Sequence, residues 1–334
     1  MTIKIELNAQ QILALQEYNQ NQVPVIINAA QENVIEDGRF VFFAAFDGTN
    51  NDMNYHPNDK YDTNVAQLWN QYLVARSGKA NLGGGYYPGV GTAGTESQSS
   101  WNPTQVTLQT IKTAEKAYSD FCNEASDWLR TPGNGGKSVS AVLTSFSRGG
   151  ASAAIFCQLL HAKGLADPKA GGKVLFPPGM VPVIAGVLFD PVTTGVSSNL
   201  ALTPNAKNIL DLVAWNEYRQ LFKGADYSNH PGTVTMIWMY GNHCDIGGGY
   251  DSGLSALTLQ AATGFLQRSG LPIADVPVKR QFIADDVAVH SEEYDDSGVN
   301  RIWDVYNSAG FSFTMKRLLE RVGTPAASGE PFIM

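Results

Sequence analysis

Cysteine, histidine and charged residues are scarce in this sequence. Among 334 residues there are three cysteines and five histidines, and Asp, Glu, Lys and Arg together make up 16%. The cysteines show neither the paired spacing of a metal site nor the pattern of a disulfide framework, so the sequence predicts no structural metal and no disulfide scaffold. Cys122 and Cys157 fall within helical patterns and are predicted to be buried thiols.

Long apolar runs and an excess of positive charge are also missing. No apolar stretch approaches the ~18 residues that a membrane span needs, and the N-terminus lacks the basic-then-apolar pattern of a signal peptide. The formal net charge is −8, which argues against a nucleic-acid partner and gives no attraction to anionic membranes. We therefore expect a cytoplasmic protein that makes peripheral membrane contact at most.

Strand and helix patterns alternate along the chain. An aromatic, β-branched strand is predicted at 39–46, an amphipathic helix at 106–129 and a further helix at 254–269. Such alternation favours an α/β fold with a mostly parallel central sheet flanked by helices. Long Gly-, Asn- and Pro-rich loops separate the elements, notably at 77–102 and 193–205, and loops of this length often cover a binding site.

The most informative segment is 139–150, where an apolar strand ends abruptly at Ser147 and an Ala-rich helical segment follows. A strand, a sharp turn carrying serine and a helix make up the nucleophile elbow of α/β-hydrolases. The consensus elbow is Gly-x-Ser-x-Gly. Gly149 fits the consensus, whereas Ser145 replaces its first glycine. Taken alone, the segment also fits a serine that caps a buried helix.

Two further buried strands end at residues that would complete a catalytic triad. The run 181–189 ends at Asp190, and the run 233–240 opens into Gly-Asn-His, ending at His243. The order serine, aspartate, histidine is that of α/β-hydrolases, and parallel strands place their carboxyl ends at one edge of the sheet. The sequence thus predicts an α/β-hydrolase fold with Ser147 as nucleophile, a histidine base and an aspartate that orients it.

Four other histidines are alternatives to His243 as the base. His56 and His161 come before the candidate acid in the chain, which does not fit the order. His230 lies in a polar turn at the opposite end of its strand. His290 follows a plausible strand at 287–289 but lacks glycine-rich surroundings. A hydrogen-bonded loop histidine remains the alternative interpretation of His243 itself.

The oxyanion donors of such an enzyme are backbone N–H groups. One is expected at Arg148, the residue after the nucleophile, and the other at Gly48 or Thr49, which follow the first core strand. The same strand end carries Asp47, which is a candidate for capping local N–H groups.

Carboxylate and amide side chains near this strand end form an alternative cation site. Asp47, Asn50 and Asp52 are oxygen-bearing residues of the kind that bind Ca²⁺. Their spacing alone does not define a calcium loop, and the sequence otherwise predicts no cofactor.

Short motifs in a fixed order carry a family resemblance. They are Phe-Asp-Gly-Thr-Asn-Asn at 46–51, Thr-Asn-Val at 63–65, Tyr-Tyr-Pro-Gly-Val-Gly-Thr at 86–92, Phe-Ser-Arg-Gly at 146–149, Leu-Phe-Asp-Pro-Val at 188–192, Asn-Glu-Tyr-Arg at 216–219 and His-Cys-Asp-Ile-Gly-Gly-Gly-Tyr at 243–250. Together they resemble the Tle1-like phospholipase effectors of the type VI secretion system, a group of α/β-hydrolases. The chain departs from the family pattern at Ser145, in place of glycine, and at Pro191, in place of threonine.

The resemblance implies Ser147 as nucleophile, Asp190 as acid and His243 as base in a phospholipid acyl-ester hydrolase. It also implies delivery into a target cell, with a secretion-apparatus adaptor and an immunity protein as partners. No C-terminal membrane-binding region of the kind found in family members is visible. A cytosolic carboxylesterase for small soluble esters, or a non-catalytic interaction module of the same fold, are therefore the alternatives.

Residues 1–38 are polar and rich in Gln and Asn, with a short helical pattern at 9–18. We interpret them as an N-terminal arm or extra layer, and residues 39–334 as a single catalytic domain. A lipid substrate would need apolar loop residues around the nucleophile. The predicted substrate-contacting residues are Tyr86, Tyr87 and Trp101, with Val90 and Leu200 as further candidates.

Overall fold

The computed structural model describes residues 3–35, 38–55, 62–92, 102–196, 199–250, 253–292 and 311–324. The strands in chain order are β1 (Ile3–Lys4), β2 (Phe40–Phe46), β3 (Leu82–Tyr87), β4 (Val139–Phe146), β5 (Leu165–Asp167), β6 (Lys173–Phe176), β7 (Val183–Phe189), β8 (Ile209–Ala214), β9 (Gly224–Asp226), β10 (Val234–Met239), β11 (His290–Ser291) and β12 (Leu319–Arg321). The α-helices are α1 (Ala9–Ala29), α2 (Asn64–Arg76), α3 (Pro103–Arg130), α4 (Gly149–Lys163), α5 (His243–Gly247) and α6 (Gly253–Arg268).

The central sheet has six strands in the order β10-β8-β7-β4-β2-β3. Every neighbouring pair is parallel. The chain runs outward from β2 to β3, then returns to β4 and builds the rest of the sheet on the other side. In open α/β sheets, ligands bind beyond the carboxyl ends of the strands where the winding direction reverses. Here that point lies between β2 and β4, and Phe46 pairs with Ser145 at its edge.

Strand β2 shows why helices cover both faces of the sheet. All seven of its residues are buried, and successive side chains of a strand point to opposite faces. Its even-numbered residues pack with α3 and α4, and its odd-numbered residues pack with α2 and α6. A strand that is apolar on both faces has no side to present to water, which confirms the predicted α/β architecture of a mostly parallel sheet flanked by helices.

The N-terminal segment forms a layer against the edge strand β10. Helix α1 continues well beyond the predicted pattern at 9–18, because Val23 and Ile26 extend its buried face against α6. The side chain of Asn19 accepts from the Tyr240 N–H and donates to the Tyr240 carbonyl, both at 2.8 Å. Strand β1 pairs antiparallel with β11. This segment thus adds hydrogen bonds where the sheet would otherwise end.

Other sequence predictions can be compared with the described residues. Cys122 and Cys157 are buried free thiols, as predicted. The strand expected at 287–289 lies instead at β11, where its partner is the N-terminal strand β1. Within the described ranges, no helix combines the length and the apolar character required to cross a bilayer.

Candidate active site

Ser147 occupies a sharp turn between β4 and α4 with a positive φ of 55°. Its N–H donates to the Phe189 carbonyl, and its own carbonyl accepts from the Val192 N–H, both at 3.1 Å. These bonds tie the turn to the end of β7. A side chain at Gly149 would lie 2.6 Å from the Asp47 carbonyl oxygen, so glycine is required here. The strand–turn–helix geometry of a nucleophile elbow is therefore present.

Ser145 and Pro191, the two departures from the family motifs, both lie next to Gly150. A Cβ built at Gly150 would be 2.7 Å from Pro191 Cβ and 3.7 Å from Ser145 Oγ. Because Gly150 has no side chain, the ring of Pro191 fits beneath the start of α4, whereas the Ser145 hydroxyl would be in ordinary contact even with a Cβ there. The departures leave the turn around Ser147 intact.

Asp190 is the residue that directly follows β7, again with a positive φ, of 43°. Its carboxylate is fully buried. One oxygen, Oδ2, lies 2.6 Å from His243 Nδ1. The other oxygen, Oδ1, accepts from the Ala214 N–H at 2.8 Å and from Arg317 Nη1. Both carboxylate oxygens thus have hydrogen-bond partners.

His243 begins the short helix α5, whose N-cap is Asn242. Its ring lies 4.5 Å from the ring of Phe146 and 5.0 Å from that of Phe222, centroid to centroid. Burial lowers the pKa of His243, although the hydrogen bond and charge of Asp190 oppose the shift. The imidazole is therefore neutral at neutral pH. Because a carboxylate only accepts, we assign its proton to Nδ1, which leaves Nε2 as an acceptor.

Phe146 links the base to the serine turn. It immediately precedes Ser147, and its ring covers His243 on one side. A Cβ at Gly247 would lie 2.6 Å from Phe146 Cζ. The absence of a side chain at Gly247, in the motif at 243–250, therefore lets α5 pack directly on this ring. The sequence-predicted Ser147, Asp190 and His243 accordingly meet at one corner of the sheet, with the acid and base in direct hydrogen-bond contact.

The candidate oxyanion donors lie next to this corner. Arg148 is the N-cap of α4, so its backbone N–H belongs to the positive end of that helix. Its side chain donates from Nε to Thr49 Oγ1 at 2.7 Å, which ties the helix start to the loop after β2. Gly48 N–H already donates to Asp47 Oδ1 at 2.7 Å. Thr49 is thus the better candidate of the two for the second donor.

The loop after β3 packs against the 48–51 turn, which carries the candidate donor Thr49. Gly89 packs against the Gly48 carbonyl so closely that any side chain would overlap it. The Gly89 N–H donates to the Asn51 carbonyl, and the Asn50 N–H donates to the Val90 carbonyl, both at 2.9 Å. The motif at 86–92 therefore shapes the 48–51 turn through its backbone.

The tyrosines of this motif lie on the edge strand β3. Tyr87 is a core residue: its ring stacks on Phe46 with centroids 5.2 Å apart, and its hydroxyl donates to Asp120 at 3.0 Å. Tyr86 is half-buried and donates to Asp47 Oδ2 at 2.6 Å. As neighbours on a strand they point to opposite faces of the sheet, and their role as substrate contacts stays a prediction.

The remaining apolar loop candidates follow the same pattern. Val90 and Leu200 are both buried in the protein. Trp101 lies outside the described residues, as does His56. The apolar rim around the nucleophile stays a prediction, and its members Tyr87, Val90 and Leu200 are buried in this structure.

The alternative cation site consists of hydrogen-bonded side chains. Asp47 Oδ2 accepts from Thr63 Oγ1 at 2.8 Å, in addition to its bond with Tyr86. Asp52 Oδ1 accepts from the N–H and the side-chain amide of Asn54. Across the described residues, no group of three or more His, Cys, Asp or Glu side chains assembles into a metal site. Asp47 caps the Gly48 N–H, and the cation site stays a prediction.

A second buried aspartate–histidine pair was not predicted. His290 Nδ1 lies 2.6 Å from Asp245 Oδ1, and the Tyr250 ring covers His290 with centroids 4.4 Å apart. Asp245 Oδ2 also accepts from the N–H groups of Asn242 and His290. This pair fixes the N-terminus of α5, on which His243 sits. The only sequence signal was the position of Asp245, two residues after the base.

An ion cluster next to the base was also missed. Arg219 bonds Glu217 through Nη2 at 2.7 Å and contacts Glu292; Arg219 and Glu217 are buried, whereas Glu292 is partly exposed. Burial alone would raise the pKa of Glu217, but the charge and hydrogen bonds of Arg219 outweigh it and lower that pKa to about 2. The Arg219 guanidinium also lies 3.4 Å from the centroid of the Phe222 ring, which contacts His243. The segment 216–219 thus packs behind the base.

No protein-family model and no curated protein matches this chain. Solved structures do: an uncharacterized protein from Pseudomonas aeruginosa is 19% identical over 86% of this chain and 53% of its own, with a TM-score of 0.49. A Tle1 effector bound to the VgrG spike of the Type 6 secretion system is 19% identical over 66% of this chain and 52% of its own, with a TM-score of 0.43. An acetylxylan esterase is 15% identical over 70% of this chain and 99% of its own, with a TM-score of 0.36.

A Tle1 effector is thus among the similar structures, as the motif resemblance predicted. The chain spans about half the length of the first two structures it matches. At these identities and scores, the case for an α/β-hydrolase fold depends on this chain's own sheet order and serine turn.

Proposed function

We propose that this protein is a serine ester hydrolase in which Ser147 is the nucleophile, His243 the base and Asp190 the orienting acid. One observation carries the proposal: the buried His243–Asp190 hydrogen bond of 2.6 Å lies against a positive-φ serine turn at the reversal point of a parallel sheet. Each part alone has a structural explanation. Their convergence supports a reaction site rather than a non-catalytic module.

The chemistry follows from the groups present. His243 Nε2 accepts the proton of the Ser147 hydroxyl as the oxygen attacks the ester carbonyl, and later returns that proton to the leaving alcohol. Asp190 holds the Nδ1–H tautomer and stabilises the imidazolium that forms. The burial that lowers the pKa of His243 keeps the base neutral and able to accept at neutral pH.

The negative charge on the tetrahedral intermediate needs donors. We assign them to the backbone N–H groups of Arg148 and Thr49, whose segments are joined by the Arg148–Thr49 hydrogen bond. Rigid donors cost no reorganisation when the charge develops, and losing one typically raises the barrier by ~3 kcal/mol.

For the substrate we propose a phospholipid acyl ester, because of the motif resemblance. Delivery by a secretion spike, with an adaptor and an immunity protein, belongs to the same proposal. The second candidate is a small soluble ester. The burial of Tyr87, Val90 and Leu200 favours it, since these residues cannot contact a bilayer.

The test uses purified protein and its Ser147→Ala variant on two substrates, a short acyl ester in solution and phosphatidylglycerol–phosphatidylethanolamine vesicles, with products identified by mass spectrometry. We expect wild-type turnover that Ser147→Ala abolishes without loss of folding, because only a small hydroxyl is removed. Retention of more than a few per cent of turnover by Ser147→Ala on both substrates would exclude the assigned nucleophile.

The physical state of the substrate separates the two candidates. A phospholipase gains from an interface, so its turnover of a short-chain phospholipid should rise sharply above the micelle concentration. Equal turnover on monomers and micelles would favour the small-ester hydrolase.

A further inference from the structure

Arg317 reaches the candidate acid from a distant part of the chain. It lies 127 residues after Asp190, in the segment 311–324 beyond the motifs, and its side chain is 1% exposed. Its Nη1 donates to Asp190 Oδ1, the oxygen that does not contact His243. The carboxylate is therefore held from two sides, by the base on one oxygen and by a guanidinium on the other.

The other end of the guanidinium is also fixed. Arg317 Nη2 donates to the Phe222 carbonyl, and the Arg317 N–H donates to the Trp215 carbonyl at 3.2 Å. The Phe222 ring contacts His243, and a Cβ at Gly224 would lie 3.2 Å from Arg317 Cζ. One guanidinium thus joins the acid to the segment that packs on the base, and glycine at 224 leaves the room for it.

Other charged groups surround this pair. They are Asp211 on β8, Asp226 on β9, Glu217 and Arg219 after β8, Glu292 after β11 and Asp245 on α5, together with the thiol of Cys244, whose pKa is raised by burial. Glu217 and Arg219 neutralise each other in a direct ion pair. Burial, with the nearby charge of Asp190, raises the pKa of Asp211 well above its usual range, and neither carboxylate oxygen of Asp211 forms a hydrogen bond with Arg317.

We infer that Arg317 is a positioning residue of the hydrolase, which orients the Asp190 carboxylate towards His243 and offsets part of its negative charge. The expected change in rate rests on the proposed function, whereas the coupling of Arg317 to the His243–Asp190 pair does not. An arginine suits this position because its planar fork binds two acceptors at fixed angles, whereas a lysine offers a single point charge.

The consequence is a measurable shift in proton affinity. A fixed positive charge near the pair disfavours the imidazolium, so its removal should favour proton uptake by the His243–Asp190 pair. Arg317→Gln and Arg317→Met should raise the apparent pKa of the pair by about one unit or more, a tenfold change in proton affinity. The pH-independent rate should also fall, because the carboxylate loses one of its fixed contacts.

The experiment follows His243 by NMR titration of the imidazole in wild type, Arg317→Gln, Arg317→Met and Arg317→Lys, together with pH profiles of kcat/KM on a short soluble ester. Arg321→Gln is the matched control, because it removes a positive charge from the same segment. The Arg321 side chain is 69% exposed, and its Nε lies 3.8 Å from Asp226 Oδ2. We expect the apparent pKa from the His243 titration to rise in Arg317→Gln and Arg317→Met and to equal the wild-type value in Arg321→Gln.

The lysine variant guards against misfolding. Arg317→Lys keeps the charge, so the His243 pKa should stay near wild type while the plateau rate falls by about tenfold, because one ammonium cannot hold both acceptors. A folded Arg317→Met or Arg317→Gln protein with an unmoved His243 titration would refute the inference. So would an Arg317→Lys protein with a wild-type plateau, even where the neutral variants do not fold.

Failure of the proposed function would look different. If wild type hydrolyses no ester, the NMR titrations still decide whether Arg317 sets the proton affinity of the pair. If wild type is active and its activity depends on Ser147, but His243 titrates alike in wild type and in the neutral Arg317 variants, only the role of Arg317 is refuted.

Discussion

Replacing Asp190 by asparagine gives the sharpest test of the acid, because its surroundings decide which way the amide faces. Oδ1 of Asp190 accepts from two donors, the Ala214 N–H and Arg317. In Asp190→Asn, the amide oxygen must occupy this position, since an NH₂ group there would face two donors. The NH₂ group then points at His243 Nδ1.

The magnitude follows from this forced orientation. With a donor against Nδ1, His243 carries its proton on Nε2 and cannot accept from Ser147. The wrong tautomer costs up to ~10⁴-fold in turnover in serine proteases, which corresponds to about 5.4 kcal/mol of barrier. The variant also leaves the buried charge of Arg317 without its carboxylate, which typically destabilises a fold by ~3–5 kcal/mol.

Asp245→Asn is the matched control for this prediction, since it alters the other buried aspartate–histidine pair, also at 2.6 Å. Its amide oxygen can keep the two backbone donors at Oδ2 while the NH₂ group faces His290, which has no assigned proton transfer. We expect less than about tenfold loss there.

The assay is hydrolysis of a short soluble ester at pH 7.5, with folding checked by circular dichroism and thermal melting. Near wild-type turnover in Asp190→Asn would refute the tautomer argument. If Asp245→Asn were inactive at the same time, the acid would be reassigned to Asp245.

The remaining predictions concern titration and the ion cluster. Because burial lowers the pKa of His243 and the base must be neutral, kcat/KM should fall on acidification with a midpoint below ~6.5; a midpoint above about 7.5 on the pH profile would contradict this assignment. Arg219→Met should lower the free energy of unfolding by ~3–5 kcal/mol in urea titrations, because Glu217 is left buried and unpaired. The double variant with Glu217→Gln should recover much of that loss, and a single variant as stable as wild type would show that the pair is not buried in solution.

The sequence by itself predicted the elements that depend on neighbouring residues. The strand, turn and helix around Ser147 can be read from the chain, because a sharp turn needs small residues beside it and a buried strand needs a continuous apolar run. Asp190 follows from the same rule, since it comes directly after the buried strand β7, and His243 lies just beyond the end of the partly buried edge strand β10. Their catalytic roles stay predictions, whereas their meeting at one edge of the sheet is a property of parallel strand order.

Local patterns were misleading where a side chain's environment is set by a distant element. Tyr87 looks like a loop aromatic in the motif, yet it lies on an edge strand under α3, so its ring belongs to the core. The extent of α1 was underestimated because a polar run at 19–22 and Pro24 interrupt the helical pattern in the sequence, whereas contacts with α6 stabilise the helix beyond them.

Only the tertiary structure decided how the acid and base are held. Arg317 bonds Asp190, and Asp245 bonds His290, across chain separations of 127 and 45 residues. No periodicity or motif spacing encodes such contacts, because ion pairs and hydrogen bonds depend on the positions of side-chain atoms in space, and those positions exist only once the sheet and its covering segments have packed together.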